Sequence, residues 1–110
     1  MTSAKLFGVY TAQFQFLEGT GSKIRPVIVV SKPYGPHAAI AIVPVSSRPA
    51  ITEIDFALGG WVEAGLLRPS TARVHRITTM LQGDLLAELG ILGTNDVESL
   101  RSALHRLFEL

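Results

Sequence analysis

From Leu6 the chain alternates. Tyr10, Ala12, Phe14 and Phe16 fall on one face, and Val9, Thr11, Gln13 and Gln15 on the other, the period of a half-buried strand. Glu18-Gly19-Thr20-Gly21-Ser22-Lys23 interrupts it with a flexible polar loop. Between Pro26 and Ser31 the β-branched run Val27-Ile28-Val29-Val30 has the continuous apolar character of a strand covered on both faces. Lys32 to His37 holds two prolines and a glycine and must turn. Ala38 to Val45 is a further apolar strand, expected to end or bulge at Pro44, which has no N–H to donate. Thr52 to Ala57 alternates again, with Ile54 and Phe56 opposite Glu53 and Asp55, until Gly59-Gly60 breaks the pattern.

Trp61 to Ser70 reads as a short irregular connection. Ala72 to Ile77 alternates as a strand, with Arg73, His75 and Ile77 on one face and Ala72, Val74 and Arg76 on the other. Met80 to Leu92 fits either a turn followed by a strand or a short helix. The last segment predicts a helix, because Val97, Leu100, Leu104, Leu107 and Phe108 recur at helical spacing. Asn95 stands three residues before Glu98 in a capping-box arrangement, with Thr94 as an alternative cap. Arg101 and Arg106 lie toward the end of that helix, where its dipole favours positive charge, and His105 sits at the edge of its apolar stripe. Five or more short strands followed by one terminal helix predict a mainly β domain (α+β), closed as a small antiparallel barrel rather than a doubly wound sheet. No repeat, low-complexity tract or linker divides the chain, so residues 1–110 are expected to form a single domain.

Composition narrows the functions open to this fold. Hydrophobic residues make up 47% of the 110 and charged residues 17%, enough apolar material for a core. So apolar a chain of this size also points to a buried subunit interface. There is no cysteine, which removes thiolate chemistry, disulfides and cysteine zinc sites. His37, His75 and His105 are too scattered to read as a metal site. A net charge of +1 argues against a non-specific coater of duplex DNA but leaves room for a local cationic cluster. No apolar run reaches the ~18 residues of a membrane span. No charged segment followed by a sustained apolar stretch marks a signal peptide, and the expected location is cytoplasmic.

Several residues are candidates for chemistry. Gly19-Thr20-Gly21-Ser22-Lys23 lacks the spacing of a phosphate-binding P-loop, and a mobile loop over a site is the better reading. Arg25 stands just before an apolar strand. It is either a solvated strand end or a guanidinium aimed at phosphate, its backbone direction restricted by Pro26. Ser46-Ser47 follow a strand and are either turn residues or hydroxyl donors; no Gly-x-Ser-x-Gly elbow surrounds them. Arg73 and His75 pair a permanent cation with a group that titrates near neutrality, or form an ordinary polar strand face.

The order of these segments resembles a known family. Gly8-Val9-Tyr10, Phe14-Gln15-Phe16, the 19–23 loop and Arg25-Pro26-Val27-Ile28-Val29-Val30-Ser31 look like the start of a MazF/PemK-type toxin. Val43-Pro44-Val45-Ser46-Ser47 resembles the family's second motif. Ala64-Gly65-Leu66, Pro69-Ser70 and Arg73-Val74-His75 resemble its third, and the terminal helix is in place. The resemblance implies a small SH3-like barrel with a C-terminal helix, acting as a homodimer. It implies a metal-independent, cofactor-free endoribonuclease that cuts single-stranded RNA, including mRNA, at a short preferred sequence. It also implies a cognate antitoxin partner, with operator DNA bound only through the toxin–antitoxin complex.

Carried over by residue, Arg25 matches the family's catalytic arginine, and Ser46 stands where many members have threonine. Arg73 matches a second functional arginine, and Lys23 and Ser47 flank these positions as RNA-binding candidates. His75 falls where some members place an acidic residue. Val9 and Gln15 also depart from the pattern, which commonly has an acidic residue and a proline there. The resemblance therefore gives His75 the role of general base or acid, Arg25 or Arg73 that of stabilising phosphate charge, and Ser46 that of hydrogen-bond donor. The expected product is a 2′,3′-cyclic phosphate and a 5′-OH. Two alternatives stand beside this reading. One is a gyrase-poisoning toxin on the same fold, whose relatives act through a C-terminal tail beginning with tryptophan; here the chain ends Leu107-Phe108-Glu109-Leu110 and the one tryptophan is Trp61. The other is a catalytically inactive member that only binds antitoxin or DNA.

Overall fold

Val27, Ile28 and Val29 have no exposed surface, and the sheet is arranged around them. In the computed structural model, which describes residues 4–15 and 22–110, they end strand β2 (Ser22–Val29), which runs between β1 (Gly8–Gln15) and β3 (Ala39–Ser46). β1 pairs with β2 from Val9↔Ile28 to Gln15↔Ser22, and β2 pairs with β3 from Val27↔Pro44 to Val29↔Ile42, both antiparallel. Val27 and Val29 face a cluster with Ala12, Ile40, Ile42 and Leu85. Ile28 faces the other way, into a larger cluster with Val9, Val43, Val45, Val74 and Leu100. The period-two alternation is kept, but both faces are covered, as the unbroken apolar run requires.

The remaining strands are β4 (Phe56–Ala57), β5 (Thr71–Ala72), β6 (Thr78–Leu81) and β7 (Leu85–Ile91). The path through the sheet is β4-β5-β3-β2-β1-β7, with β6 also on β3. Helix α1 (Thr94–Phe108) follows. The predicted class, mainly β with one C-terminal helix, is the class observed, although the seven-stranded sheet does not close on itself. The β1–β7 register shifts twice, between Val9 and Tyr10 and between Tyr10 and Ala12. Such bulges bend and twist a sheet, which curls this one around its core without a closing ladder. Among the described residues no helix is long and apolar enough to cross a membrane.

One edge of β3 serves two partners. β6 pairs with its first half, from Ala39↔Leu81 to Ile42↔Thr78, and β5 with its end, Val45↔Ala72 and Ser46↔Thr71. Pro44 stands between them, and its carbonyl accepts the Arg73 N–H at 2.8 Å. Carbonyl and nitrogen of a strand residue point to the same edge, so the proline's missing N–H falls on this edge and spares the β2 ladder. β3 therefore continues through Pro44 to Ser46 rather than ending there.

Other boundaries differ from the sequence pattern for identifiable reasons. The alternation of Thr52 to Ala57 yields a strand only at Phe56–Ala57, because 52–55 close a turn held by Asp55. The predicted strand from Ala72 to Ile77 stops at Ala72. Val74–Arg76 form one turn of 3₁₀-helix, with Arg76 N–H bonded to the Arg73 carbonyl and Ile77 N–H to that of Val74. Segment 80–92 resolves into strands, β6 and β7, joined by a 3₁₀ turn at Gln82–Asp84. Of the polar loop read over 18–23, residues 18–21 lie outside the described residues, as does Phe16; Ser22 and Lys23 already belong to β2.

The helix buries Leu100 and Ala103 and packs Val97, Leu104 and Leu107 on the larger cluster, while Phe108 remains 54% exposed. The capping box is not formed. Gly93 occupies the N-cap with no side-chain bond, which places Thr94 and Asn95 inside the first turn. The buried first-turn acid is Asp96, whose carboxylate accepts the N–H groups of Gly59 at 3.1 Å and Gly60 at 2.9 Å. A negative charge there also suits the helix dipole. A second close approach is that of segment 61–66 to β7. Gly65 has φ of 82°, and a Cβ on it would collide with the Leu89 carbonyl.

Two stability outcomes follow from these contacts. Gly65→Ala adds left-handed strain to a backbone collision and is expected to cost about 3 kcal/mol or more, read as a lowered melting temperature. Asp96→Ala strands two glycine donors and should cost about 2–3 kcal/mol, with Asp96→Asn, which keeps one acceptor oxygen, losing less. Unchanged melting of Asp96→Ala would show that the helix start is held by packing alone.

Candidate functional site

Arg25 lies within β2, since the strand begins at Ser22; it is not a residue before the strand. It pairs with Ala12 and is exposed. Proline at the next position keeps its backbone extended. The β2–β3 register, Val29↔Ile42, Ile28↔Val43, Val27↔Pro44, sets Arg25 opposite Ser46 when continued by two residues. Opposed residues share a face, and here it is the face of Val27 and Ile42. Lys23, two residues further along β2, is exposed on that face, and Ser47 is exposed just past the end of β3.

Arg73 approaches Ser46 from the other side, because β5 sets Thr71 opposite Ser46. Its side chain is not on a solvated strand face. Arg73 is only 5% exposed, and its guanidinium donates to the Pro49 carbonyl at 2.8 Å and, at a longer 3.4 Å, to Ser46 Oγ. Ser46 Oγ also accepts the Arg48 N–H at 3.1 Å. A serine hydroxyl has two acceptor directions and one proton to donate. Two donors occupy the acceptor directions, so the O–H proton is the part left to give.

His75 is carried away from the face of Arg73 by the 3₁₀ turn. Its Nδ1 lies 2.8 Å from both carboxylate oxygens of Asp55, and its N–H donates to Oδ1 at 3.2 Å. The same carboxylate accepts the N–H groups of Thr52 at 3.0 Å and Ile51 at 3.3 Å. The Asp55 side chain has no exposed surface, whereas that of His75 is 24% exposed. Burial alone would raise the pKa of Asp55. The hydrogen bonds from the His75 ring and from the N–H groups of Thr52, His75 and Ile51 outweigh it and hold the carboxyl at about 2, below its usual 3.8.

The structure thus joins Ser46 to Arg73 directly, places Arg25 on β2 two residues beyond the Val27↔Pro44 pair, and ties His75 to Asp55. Loop 46–55 links the two groups: Arg73 fastens one end through Pro49, and Asp55 the other through Ile51 and Thr52. Lys23, Arg25 and Arg48 supply exposed positive charge around the end of β3. His37 and His105 are exposed on the 32–38 turn and on α1. Asp55 is the residue that sequence reasoning missed, because period-two alternation assigned it to the polar face of a strand. The available signal was an aspartate three and four residues after Thr52 and Ile51, a spacing at which a short carboxylate can bond backbone N–H groups and compete with a strand. Among the described residues no three His, Cys, Asp or Glu side chains are grouped to hold a metal ion.

Comparison with solved structures gives the same fold at low identity. An endoribonuclease in complex with its cognate antitoxin, from a mycobacterial species, matches 100% of this chain and 97% of its own, with TM-score 0.73 and 17% identity. The Mycobacterium tuberculosis toxin MazF-mt6 matches 94% of this chain and 97% of its own, with TM-score 0.71 and 22% identity. A MazE–MazF complex from Deinococcus radiodurans matches 100% and 99%, with TM-score 0.73 and 13% identity. No curated protein sequence matches at a significant level. A family model described as the PemK-like, MazF-like toxin of type II toxin–antitoxin systems matches residues 5–108, nearly the whole chain. With three motifs in register and the sheet and helix in the same order, the chain belongs to the PemK-like, MazF-like toxin family of type II toxin–antitoxin systems.

Proposed function

We propose that the chain is the RNA-cutting toxin of its type II pair, a metal-independent and sequence-selective endoribonuclease acting on single-stranded RNA. The observation that carries the reading is the Ser46 hydroxyl. Its acceptor directions are taken by Arg48 N–H and Arg73, which leaves its proton to donate, and the neighbouring strand β2 carries the exposed cations Lys23 and Arg25. A donor flanked by guanidinium and ammonium groups suits a phosphate that gains negative charge during reaction.

In this mechanism the 2′-oxygen of the RNA attacks the adjacent phosphorus. His75 takes the 2′-OH proton, the P–O5′ bond breaks, and the 5′-oxygen gains a proton from solvent. The products are a 2′,3′-cyclic phosphate and a 5′-OH. Arg25 stabilises the phosphorane charge and Ser46 donates to a phosphate oxygen. Arg73, buried and always charged, orients Ser46 and holds loop 46–55. Lys23 and Ser47 extend the contact to neighbouring nucleotides. Unpaired RNA is favoured because its bases can splay out, whereas those of an A-form duplex are hard to read. The same reading assigns the chain a cognate antitoxin, a homodimeric state, operator DNA reached only through the antitoxin complex, and a cytoplasmic site of action; the antitoxin-bound forms of two relatives support the first. Trp61 packs against the larger core cluster, which gives no support to a tryptophan-led tail acting on gyrase.

Incubation of the purified protein with mixed-sequence RNA in EDTA should give fragments with cyclic-phosphate and 5′-OH ends. Absence of cleavage at any sequence by folded protein would sink the enzyme reading. Arg25→Ala should lower the rate on the order of 10²- to 10³-fold with an unchanged melting temperature. His75→Ala should lose on the order of 10²- to 10⁴-fold and also melt earlier, because Asp55 loses one of its donors. Wild-type cleavage by folded His75→Ala would remove the base assignment.

A further inference from the structure

We infer that Asp55 is the positioning residue of the site: by accepting the Nδ1 proton of His75 it fixes the ring so that Nε2 is the nitrogen that takes a proton from RNA. This rests on the proposed role of His75 and decides between base and acid for the neutral ring.

The argument is geometric. Both carboxylate oxygens lie 2.8 Å from Nδ1, so the ring nitrogen sits symmetrically on the carboxylate. The other groups on that carboxylate, the N–H of His75, Thr52 and Ile51, can only donate. A carboxylate filled by donors and held ionised accepts from Nδ1 as well, whether the ring is neutral or charged. The neutral ring then has Nδ1–H, and Nε2 carries the lone pair. Asp55 is fully buried and the ring 24% exposed, so substrate meets the histidine and not the aspartate. Once Nε2 gains a proton, the charge on the imidazolium faces its counter-ion at hydrogen-bond distance.

The charged groups about the ring are Asp55 from the 52–55 turn, and Arg73 and Arg76 on either side in the chain. Helix α1, which packs on the 3₁₀ turn, carries Arg101, His105 and Arg106 in its second half, with Arg106 directed to Glu53. Of these groups, Asp55 is the one at hydrogen-bond distance from Nδ1.

A merely structural role is the rival: the pair would only staple loop 46–55. It predicts that Asp55→Asn lowers the melting temperature but cleaves RNA normally per folded molecule. The positioning role predicts that Asp55→Asn lowers kcat on the order of 10²-fold or more at near-constant KM, since an amide donor facing Nδ1 favours the wrong tautomer. It also predicts that Asp55→Asn adds no further loss to His75→Ala, because the aspartate acts only through the ring. Should Asp55→Asn fail to fold, nitrogen-15 NMR of the wild-type ring decides the matter without a variant. In the neutral ring, Nδ1 should be the protonated nitrogen and Nε2 the unprotonated one. A proton found on Nε2, or wild-type cleavage by folded Asp55→Asn while His75→Ala is inactive, overturns the inference and leaves the function proposed above standing. Wild-type cleavage by His75→Ala overturns the base assignment itself, and the catalytic use of Asp55 with it.

Discussion

Strand β3 satisfies two partners along one edge, and most of the site depends on how the chain passes from one to the other. β5 covers the end of β3 and β6 its beginning. Between them a residue without an N–H, Pro44, meets a segment that turns rather than extends. The Arg73 N–H uses the Pro44 carbonyl, and the following residues wind into a 3₁₀ turn before β6 begins. A continuous strand here would have set Arg73 and His75 side by side on one face. The turn separates them. Val74 enters the core, Arg73 folds back over Ser46, and His75 reaches Asp55.

That separation makes loop 46–55 the common element. A loop between two strands has few backbone partners of its own, and an unpinned one would be mobile on the scale that site geometry needs. Here a buried cation and a buried anion hold it from opposite ends. The buried charges are tolerated because each is partnered: Arg73 by a carbonyl and a hydroxyl, Asp55 by two backbone N–H groups of the loop and by the ring and N–H of His75. The groups that stiffen the loop are thus the groups that orient the two side chains assigned to chemistry, Ser46 and His75.

Much of the fold was legible in the chain. The run Val27-Ile28-Val29-Val30 told of a strand buried on both faces, and the spacing of Val97, Leu100, Leu104 and Leu107 told of the terminal helix. In both, one short-range period carries the information. Family resemblance, rather than spacing, picked out Arg25, Ser46 and Arg73 together; Arg73 is hydrogen-bonded to Ser46, and Arg25 lies on the neighbouring strand. Alternation failed at Thr52 to Ala57 and at Ala72 to Ile77. Those segments are short, and turn hydrogen bonds override their strand pattern: Asp55 accepts the nearby N–H groups of Ile51 and Thr52 and also joins the two segments by bonding His75, 20 residues on. The helix cap failed because a distant pairing takes its place: Asp96 spends its carboxylate on Gly59 and Gly60, 37 and 36 residues distant, while Asn95 and Glu98 make no box.

The sequence by itself determined the elements whose hydrophobic period is long enough to outweigh any single contact: the central strands and the order of strands before helix. Only the tertiary structure decided what the polar side chains do. A buried carboxylate goes where donors converge, and donors converge from segments distant in the chain. For that reason Asp55 and Arg73 read as members of polar strand faces in one dimension and lie buried at the two ends of loop 46–55 in three.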